Sequence, residues 1–417
     1  MSIVLGYHKK NGREIEIAQD AAEIVLCDAE APGSARAIIE RRNGVIGNGS
    51  TSGDGVFDFR YGPFTGGYPE AGLVHYYTYG ERILSVEVDL SLKHRGIEAS
   101  LEGEKIESAL RSVSRLCGNF SAAHTIAFLR AVESALGSEA PEQTRRFRIA
   151  LLEIERIYNH LYVIMRLATA AAQKVLAAHL AALFEESLRI VELIAGRRRF
   201  GALFVGGPAL RPGGSPIAVS EIGERLRRVR STFAKLFERS LASRNYLDRL
   251  HRTAIVERAV ATTDSLTGPS LRACGFGWDL RTSDPLIENF EVRTQDEADA
   301  FARMEVRSQE ILDSCAIAIG QLARLGDSGV ADAMRATGEH NAANEGAAAS
   351  GLGATESASG TVAWFVELER GRVSAAHVSS PSVFGFQTYA DAVVGNIFTD
   401  VPFAIDSFGI SFADAGR

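Results

Sequence analysis

Residues Arg115–His124 read RLCGNFSAAH, and how this stretch is read decides what kind of chain it belongs to. Arg-x-Cys-Gly looks like half of a metal–thiolate site. The second cysteine would follow three residues after Cys117, and that position is Phe120. Thiolates are soft metal ligands; a phenyl ring is not a ligand at all. Taken alone, Cys117 reads equally well as a small buried packing residue.

Around this stretch the hydrophobic period changes. Residues 1 to about 92 alternate, as in EIEIAQ, ARAIIERR and LVHYYTYGERILSVEVDLSL, with Gly-rich turns such as GNGSTSGDG between them. Beyond them the period is helical. One helix is expected from about Glu104 to Leu116, and another from about Ser121 to Leu136, closed by Gly137. A third follows Pro141, with the apolar stripe Phe147, Ala150, Ile154, Ile157, Leu161 and Ile164. On a different face of it lie Glu153, Arg156 and His160, which read as structural or interface groups.

Ile222, Leu226, Val229, Phe233 and Leu236 repeat as in a bundle helix, with Arg225, Arg227, Arg228 and Arg230 as its solvated face. A long helix is expected over about 296–325, burying Phe301, Met304, Ile311, Cys315 and Leu322. Residues 335–360, rich in Ala, Gly, Ser and Asn, read as a long loop. TVAWFVEL and RVSAAHV flank a turn at Glu369–Arg372 and predict a β-hairpin.

The fold class expected is α+β, a long-helix bundle core with small β-sheets from the N-terminal region and the C-terminal hairpin. The expected divisions are a β-rich region over 1–92, a helical core over 93–334, a loop over 335–360, and a hairpin with tail over 361–417.

The 417 residues are 46% hydrophobic and 23% charged, the profile of a globular protein with a substantial core. A net charge of −7 argues against nucleic acid as a partner. No run reaches the roughly 18 apolar residues of a membrane span, and the start lacks a signal-peptide pattern. Four scattered cysteines without a C-x-x-C pair fit free thiols in a reducing compartment. The expected location is therefore cytoplasmic, which leaves docking on a membrane complex open.

HRGIE, His94–Glu98, spaces His and Glu as a helical metal pair, but Gly96 between them weakens the helix. A one-metal hydrolase built on this pair lacks a third ligand at a recognisable spacing. Cys274 and Cys315 read as packing, and His124 and His160 as structural histidines. GGP, Gly206–Pro208, is a turn without the Lys and Ser/Thr of a phosphate loop.

The order of these pieces carries more than any one of them. HRGIE, RLCGNFSAAHTIAFLRAVE, LLEIERIYNHL, GRRRFGALFVGGP, LTGPSLRACGFGWDLR, ARMEVRSQEI, TESASGTVAWFVE, SSPSVFGFQT and the terminal ADAGR follow one another along the chain. That succession resembles the family shared by the large subunit of energy-converting NiFe hydrogenases and the D subunit of respiratory complex I, NADH:quinone oxidoreductase. The resemblance covers about residues 60–417.

It implies a pocket of four thiolates in the hydrogenase branch. Only Cys117 matches; Phe120, Ser411 and Asp414 stand at the other three positions. The expectation is no metal, no nickel and no hydrogen chemistry. In the complex I branch the pocket holds a quinone headgroup. Asp414-x-x-Arg417 and LTGPSLRACG lean toward that branch, while RLCG and RGIE lean toward the hydrogenases. The quinone branch has a tyrosine where this chain has Gly118. It also has a histidine-bearing loop where this chain has GPFTGGYPEAG, Gly62–Gly72, in which Tyr68 is a candidate substitute.

Arg95 is the resemblance's candidate for contact with a 4Fe–4S cluster held by a partner, with Arg115 and His124 beside the same pocket. A fixed positive charge there would raise the cluster's potential. Glu98 resembles the family's proton-transferring glutamate, with Asp414 as its counterpart and Cys117 between them; the alternative is a plain ion pair of Glu98 with Arg95 or Arg115.

The implied function is a redox subunit passing electrons from an Fe–S small subunit to a quinone-like acceptor, with coupled proton transfer. The implied partners are that small subunit, a 30 kDa-type accessory subunit and membrane subunits of a complex I-like assembly; this chain itself binds no cluster. The alternative is a non-catalytic scaffold joining the same partners.

Overall fold

The computed structural model describes residues 2–10, 13–20, 23–28, 44–64, 70–202, 218–336 and 348–417. The expected strand ARAIIERR, Tyr68, the GGP turn and residues 337–347 of the expected loop lie outside the described residues.

Ten strands form three antiparallel sheets among the described residues. The first joins β1 (Ser2–Lys10), β2 (Arg13–Asp20) and β3 (Glu23–Asp28). The second has the order β4-β7-β6-β5, from β4 (Val45–Gly47), β5 (Val56–Tyr61), β6 (Leu73–Tyr79) and β7 (Arg82–Asp89). Its β6–β7 hairpin is the alternating stretch LVHYYTYGERILSVEVD, which buries Val74, Tyr76, Ile83, Val86 and Val88 on the core side. The third orders β10-β9-β8, from β8 (Ala349–Glu356), β9 (Thr361–Glu369) and β10 (Arg372–Ser379).

The β9–β10 hairpin matches expectation, but β8 corrects the long-loop reading of 335–360. Gly351 and Gly353 are what hid it. A Cβ on Gly351 would stand 2.1 Å from the Ala131 carbonyl oxygen, and one on Gly353 2.2 Å from the Ala131 nitrogen. The glycines mark a strand pressed onto a helix backbone, which in sequence looks like a flexible loop.

The helices begin with α1 (Ile97–Ser100), α2 (Ile106–Val113), α3 (Ser121–Ala135), α4 (Glu142–Ala170) and α5 (Lys174–Ala195). They continue with α6 (Val219–Leu241), α7 (Arg244–Leu247), α8 (Arg258–Thr263) and α9 (Gly268–Arg272). The last are α10 (Ala300–Ala336), α11 (Pro381–Ala392), α12 (Val401–Phe408) and α13 (Phe412–Gly416). The long helices α4, α5, α6 and α10 pack against one another as the core bundle, and α3 lies on β8 and β9. The expected end of the long helix at residue 325 coincides with a break in α10, where Gly326 is non-helical.

The expected stripes of α4 and α6 are buried, as are Met304, Ile311, Cys315 and Leu322 of α10. In α4, however, every residue from Phe147 to Leu161 is buried, the charged ones included. It is the central helix of the fold, and its second face needs polar partners rather than water.

Candidate functional site

The chain between α2 and α3 carries Cys117, and three sets of bonds hold it. The Arg95 guanidinium donates to the carbonyls of Leu116 at 2.5 Å, Arg115 at 3.3 Å and Ala413 at 2.9 Å. The Arg95 N–H donates to the Arg417 carbonyl at 2.7 Å. From the bundle, Asn159 donates to the Asn119 carbonyl at 2.6 Å. Glu155 accepts the Ala122 and Ala123 N–H groups at the start of α3, at 2.7 and 2.9 Å. Burial pushes the Glu155 carboxyl up to about 7 against these donors. HRGIE, RLCG and ADAGR thus meet at one edge of the bundle. Arg115 enters through its carbonyl, and its side chain is exposed.

His94 and Glu98 do not share a helix face. Gly96 between them takes the left-handed conformation, φ 61°, and α1 starts only after it. His94 Nδ1–H donates to the Gly416 carbonyl at 3.0 Å. Glu98 accepts from the Val378 N–H at 2.9 Å and pairs with His377 Nδ1 at 3.0 Å, with Arg417 at 3.8 Å. Neither Arg95 nor Arg115 is its partner in any of these bonds. His377, 279 positions away, was not legible as a partner.

Cys117 Sγ lies 3.4 Å from Ser411 Oγ. The Ser411 hydroxyl reaches both oxygens of Glu70, at 2.8 and 3.0 Å, and the Ala413 N–H donates to Glu70 at 2.9 Å. Burial pushes the Cys117 thiol far above its ordinary value, with the Asp414 and Glu70 charges adding to the effect. Glu70 was missed from sequence: a lone Glu in a Gly-rich stretch carries no pattern.

Asp414 is fully buried. His124 Nε2 lies 2.7 Å from Oδ1; Ser380 Oγ–H and the Ser382 N–H donate to Oδ2. Burial opposes its charge, yet these donors, His124 first, outweigh burial and hold the carboxyl below its usual range. With Asp414 ionised, His124 is the donor in their bond, and its ring stands edge-on to Trp364.

Next to this cluster is a cavity of about 40 Å³. Glu70, Phe120, Arg166, Arg307, Asp406 and Gly409 are among its walls. Arg166 Nε–H donates to Asp406 at 2.8 Å. Burial lifts Asp406 to about 6, with Arg166 pulling the other way. Arg307 donates to the Ala358 carbonyl at 2.9 Å, the Phe408 carbonyl at 2.5 Å and His160 Nδ1 at 3.2 Å. A Cβ on Gly409 would come within 2.6 Å of the Arg307 guanidinium, so only glycine lets the arginine reach this wall.

Behind Arg307 lies a buried ionic network. His160 Nε2–H donates to Glu310 at 2.9 Å. Arg272 donates to Glu310 at 2.9 Å and to Glu356 at 2.8 Å. Arg281 bonds Asp279 at 2.7 Å and Glu153 at 3.2 Å, and Arg156 bonds Glu153 at 3.2 Å. Burial lowers His160 to about 3, against the pull of Glu310, so its imidazole is neutral. Glu153, Arg156 and His160 are therefore structural groups.

The residues at the four positions where the resemblance implies thiolates do not fit a NiFe centre. Cys117 and Ser411 bond each other, Phe120 presents a ring, and Asp414 is spent on His124, Ser380 and Ser382. A bimetallic centre needs soft thiolates there. Among the described residues no group of three His, Cys, Asp or Glu is placed to hold a metal ion.

This architecture is the hydrogenase large-subunit-like fold. It superposes with a TM-score of 0.76 on a chain of the membrane-bound sulfane sulfur reductase (MBS), an archaeal respiratory membrane complex. That match has 21% identity and covers 88% of this chain and 100% of the other. The model of the respiratory-chain NADH dehydrogenase 49 kDa subunit matches residues 180–417, more than half of the chain, and that of nickel-dependent hydrogenases matches residues 95–179. The chain belongs to the NADH dehydrogenase 49 kDa subunit family.

The NADH-quinone oxidoreductase D subunit of Protochlamydia amoebophila is 30% identical over 59% of this chain and 62% of its own length. A NADH-quinone oxidoreductase D subunit of Koribacter versatilis is 27% identical over 81% of this chain and 90% of its own. The F(420)H(2) dehydrogenase D subunit of Methanosarcina mazei is 26% identical over 56% and 64%. The chain thus spans less than two thirds of the first relatives it matches, 62% and 61%. Among the described residues no helix is long and apolar enough to cross a membrane.

Proposed function

We propose that this chain is the counterpart of the complex I D subunit in a respiratory membrane complex. In this reading it passes electrons from a partner Fe–S subunit to a small, quinone-like acceptor and couples the step to proton transfer. The observation that carries the reading is the cavity beside Cys117. In a chain of this family it retains Glu70, Asp406, Arg166 and Arg307 on its walls, although the thiolates are gone. An apolar filling would serve an inert scaffold at lower desolvation cost.

Arg95 sits at the outer edge of the Cys117 segment and is the proposed neighbour of the partner's 4Fe–4S cluster. Its positive charge favours the reduced cluster. Glu98, paired with His377 near the surface, is proposed to exchange protons with solvent; Asp414 is a fixed negative charge that orients His124. The 30 kDa-type and membrane subunits are proposed as further partners, which would place the chain on the cytoplasmic face.

A second reading, a scaffold without chemistry, is favoured by one observation. A cavity of about 40 Å³ with Phe120 on its wall holds a few water-sized groups. Ligand pockets usually run to about 300–1,000 Å³. Under the first reading, the cavity must widen to admit an acceptor.

The test uses the assembled complex, reduced through its Fe–S partner, with quinone reduction followed spectrophotometrically. The expected result is turnover in the wild type and a loss of about 10²-fold or more in Glu98→Gln. A complex that reduces no acceptor, together with a Glu98→Gln variant that assembles and behaves as wild type, leaves only the scaffold.

A further inference from the structure

We propose that Glu70 is a positioning residue for the proton in this pocket, setting the direction of the Cys117 thiol through the Ser411 hydroxyl. The redox consequence rests on the proposed function above; the relay itself rests on geometry.

A serine hydroxyl has one proton to donate and two lone pairs to fill. Ser411 Oγ–H donates to Glu70, at 2.8 and 3.0 Å. The Asp414 N–H, at 3.3 Å, fills one lone pair. Cys117, at 3.4 Å, can then only be the donor to the second. The row runs from thiol to hydroxyl to carboxylate, and the negative end fixes its direction. A proton placed on Glu70 can turn toward Ser411 and reverse the row, so that Ser411 donates to the sulfur.

The neighbouring acids are less suited to this. Asp414 is fully buried and accepts from His124, Ser380 and Ser382. Asp406 is paired with Arg166 at 2.8 Å. Glu98 is bound to the Val378 N–H and His377. Glu70 is half-buried, lines the cavity and makes no ion pair among the described residues. Among the described residues it is the half-buried acid that lines the cavity and reaches Cys117 through Ser411. In the proposed reduction the acceptor's electrons come from the Fe–S partner. Each of the two protons that a two-electron reduction takes up comes from Glu70 that has first bound a proton from solvent: the Glu70 O–H bond breaks as the bond to the acceptor forms, and the carboxylate is left ionised, as in the row above.

Infrared spectroscopy of the S–H stretch tests the relay on the full-length protein. The Cys117 band is the one lost in Cys117→Ala. In Glu70→Gln the Ala413 N–H holds the amide oxygen at the position Ser411 reaches at 3.0 Å, and the NH₂ group takes the position it reaches at 2.8 Å, where it donates to the Ser411 hydroxyl. The hydroxyl turns, and the thiol band should move to the frequency of a free S–H. Ser411→Ala, which removes the relay but keeps Glu70, should give the same band, and Glu102→Gln on the surface should leave it in place. In the assembled complex, Glu70→Gln should also slow acceptor reduction by about 10²-fold and flatten one limb of its pH profile.

An unmoved thiol band in both Glu70→Gln and Ser411→Ala overturns the relay. A moved band with wild-type rate and pH profile overturns its part in the reaction. If the wild-type complex reduces no acceptor, the proposed function has failed, and the thiol band still decides the relay.

Discussion

Arg307 touches two buried polar regions that follow different rules. Toward His160 it joins a network in which Arg272, Arg281, Glu310, Glu356, Asp279 and Glu153 bond one another directly. Toward α12 it faces a cavity where, among the described residues, Glu70 has hydrogen bonds but no cation, and Arg307 has carbonyls but no carboxylate. The first region has traded water for internal partners almost completely, which is what makes a buried charge tolerable. The second keeps charge facing empty volume, an arrangement that suits a bound group or water better than a fixed core.

The comparison is broken most severely by Glu310→Ala. This removes an acceptor shared by Arg272 and His160 and strands buried cations, an expected loss of about 3–5 kcal/mol in denaturant unfolding. A loss under about 1 kcal/mol would mean the network is not closed. Phe120→Ala comes next, with a loss of about 3 kcal/mol at the low end for a buried phenyl group, because the existing cavity already relieves its packing. The enlarged pocket should then bind a small apolar ligand such as benzene, detected as a rise in Tm.

The last effect is confined to pH. His160 titrates far lower in the fold, near 3, than in the unfolded chain. Between that value and the ordinary histidine range, about 6.5, the unfolded state binds more protons. Wild-type stability therefore falls as pH drops through this window. In His160→Gln that part of the slope should vanish, which unfolding curves at stepped pH measure directly. A slope equal to that of the wild type would place the acid sensitivity elsewhere.

Much of the framework was legible because it is written in local periods. The stripe Ile222, Leu226, Val229, Phe233 and Leu236 is buried as read, and the β9–β10 hairpin forms around its expected turn. Two features whose partners the sequence does not show share a cause. In β8 the small residues answer to the backbone of α3, and in α4 the charged face answers to Arg281, α10 and the end of β8. Both partners lie far away in sequence. Glu70 was silent for the same reason, since its meaning comes from Ser411, 341 positions away.

By itself, the order of residues determined which donors are present at the ancestral pocket. A count of sulfur atoms needs no coordinates, and one cysteine with a phenylalanine, a serine and an aspartate cannot supply four thiolates. Only the tertiary structure decided what those residues do instead, because a hydrogen bond depends on distance. Folding brings Cys117 beside Ser411 across 294 positions, and no local period records that meeting.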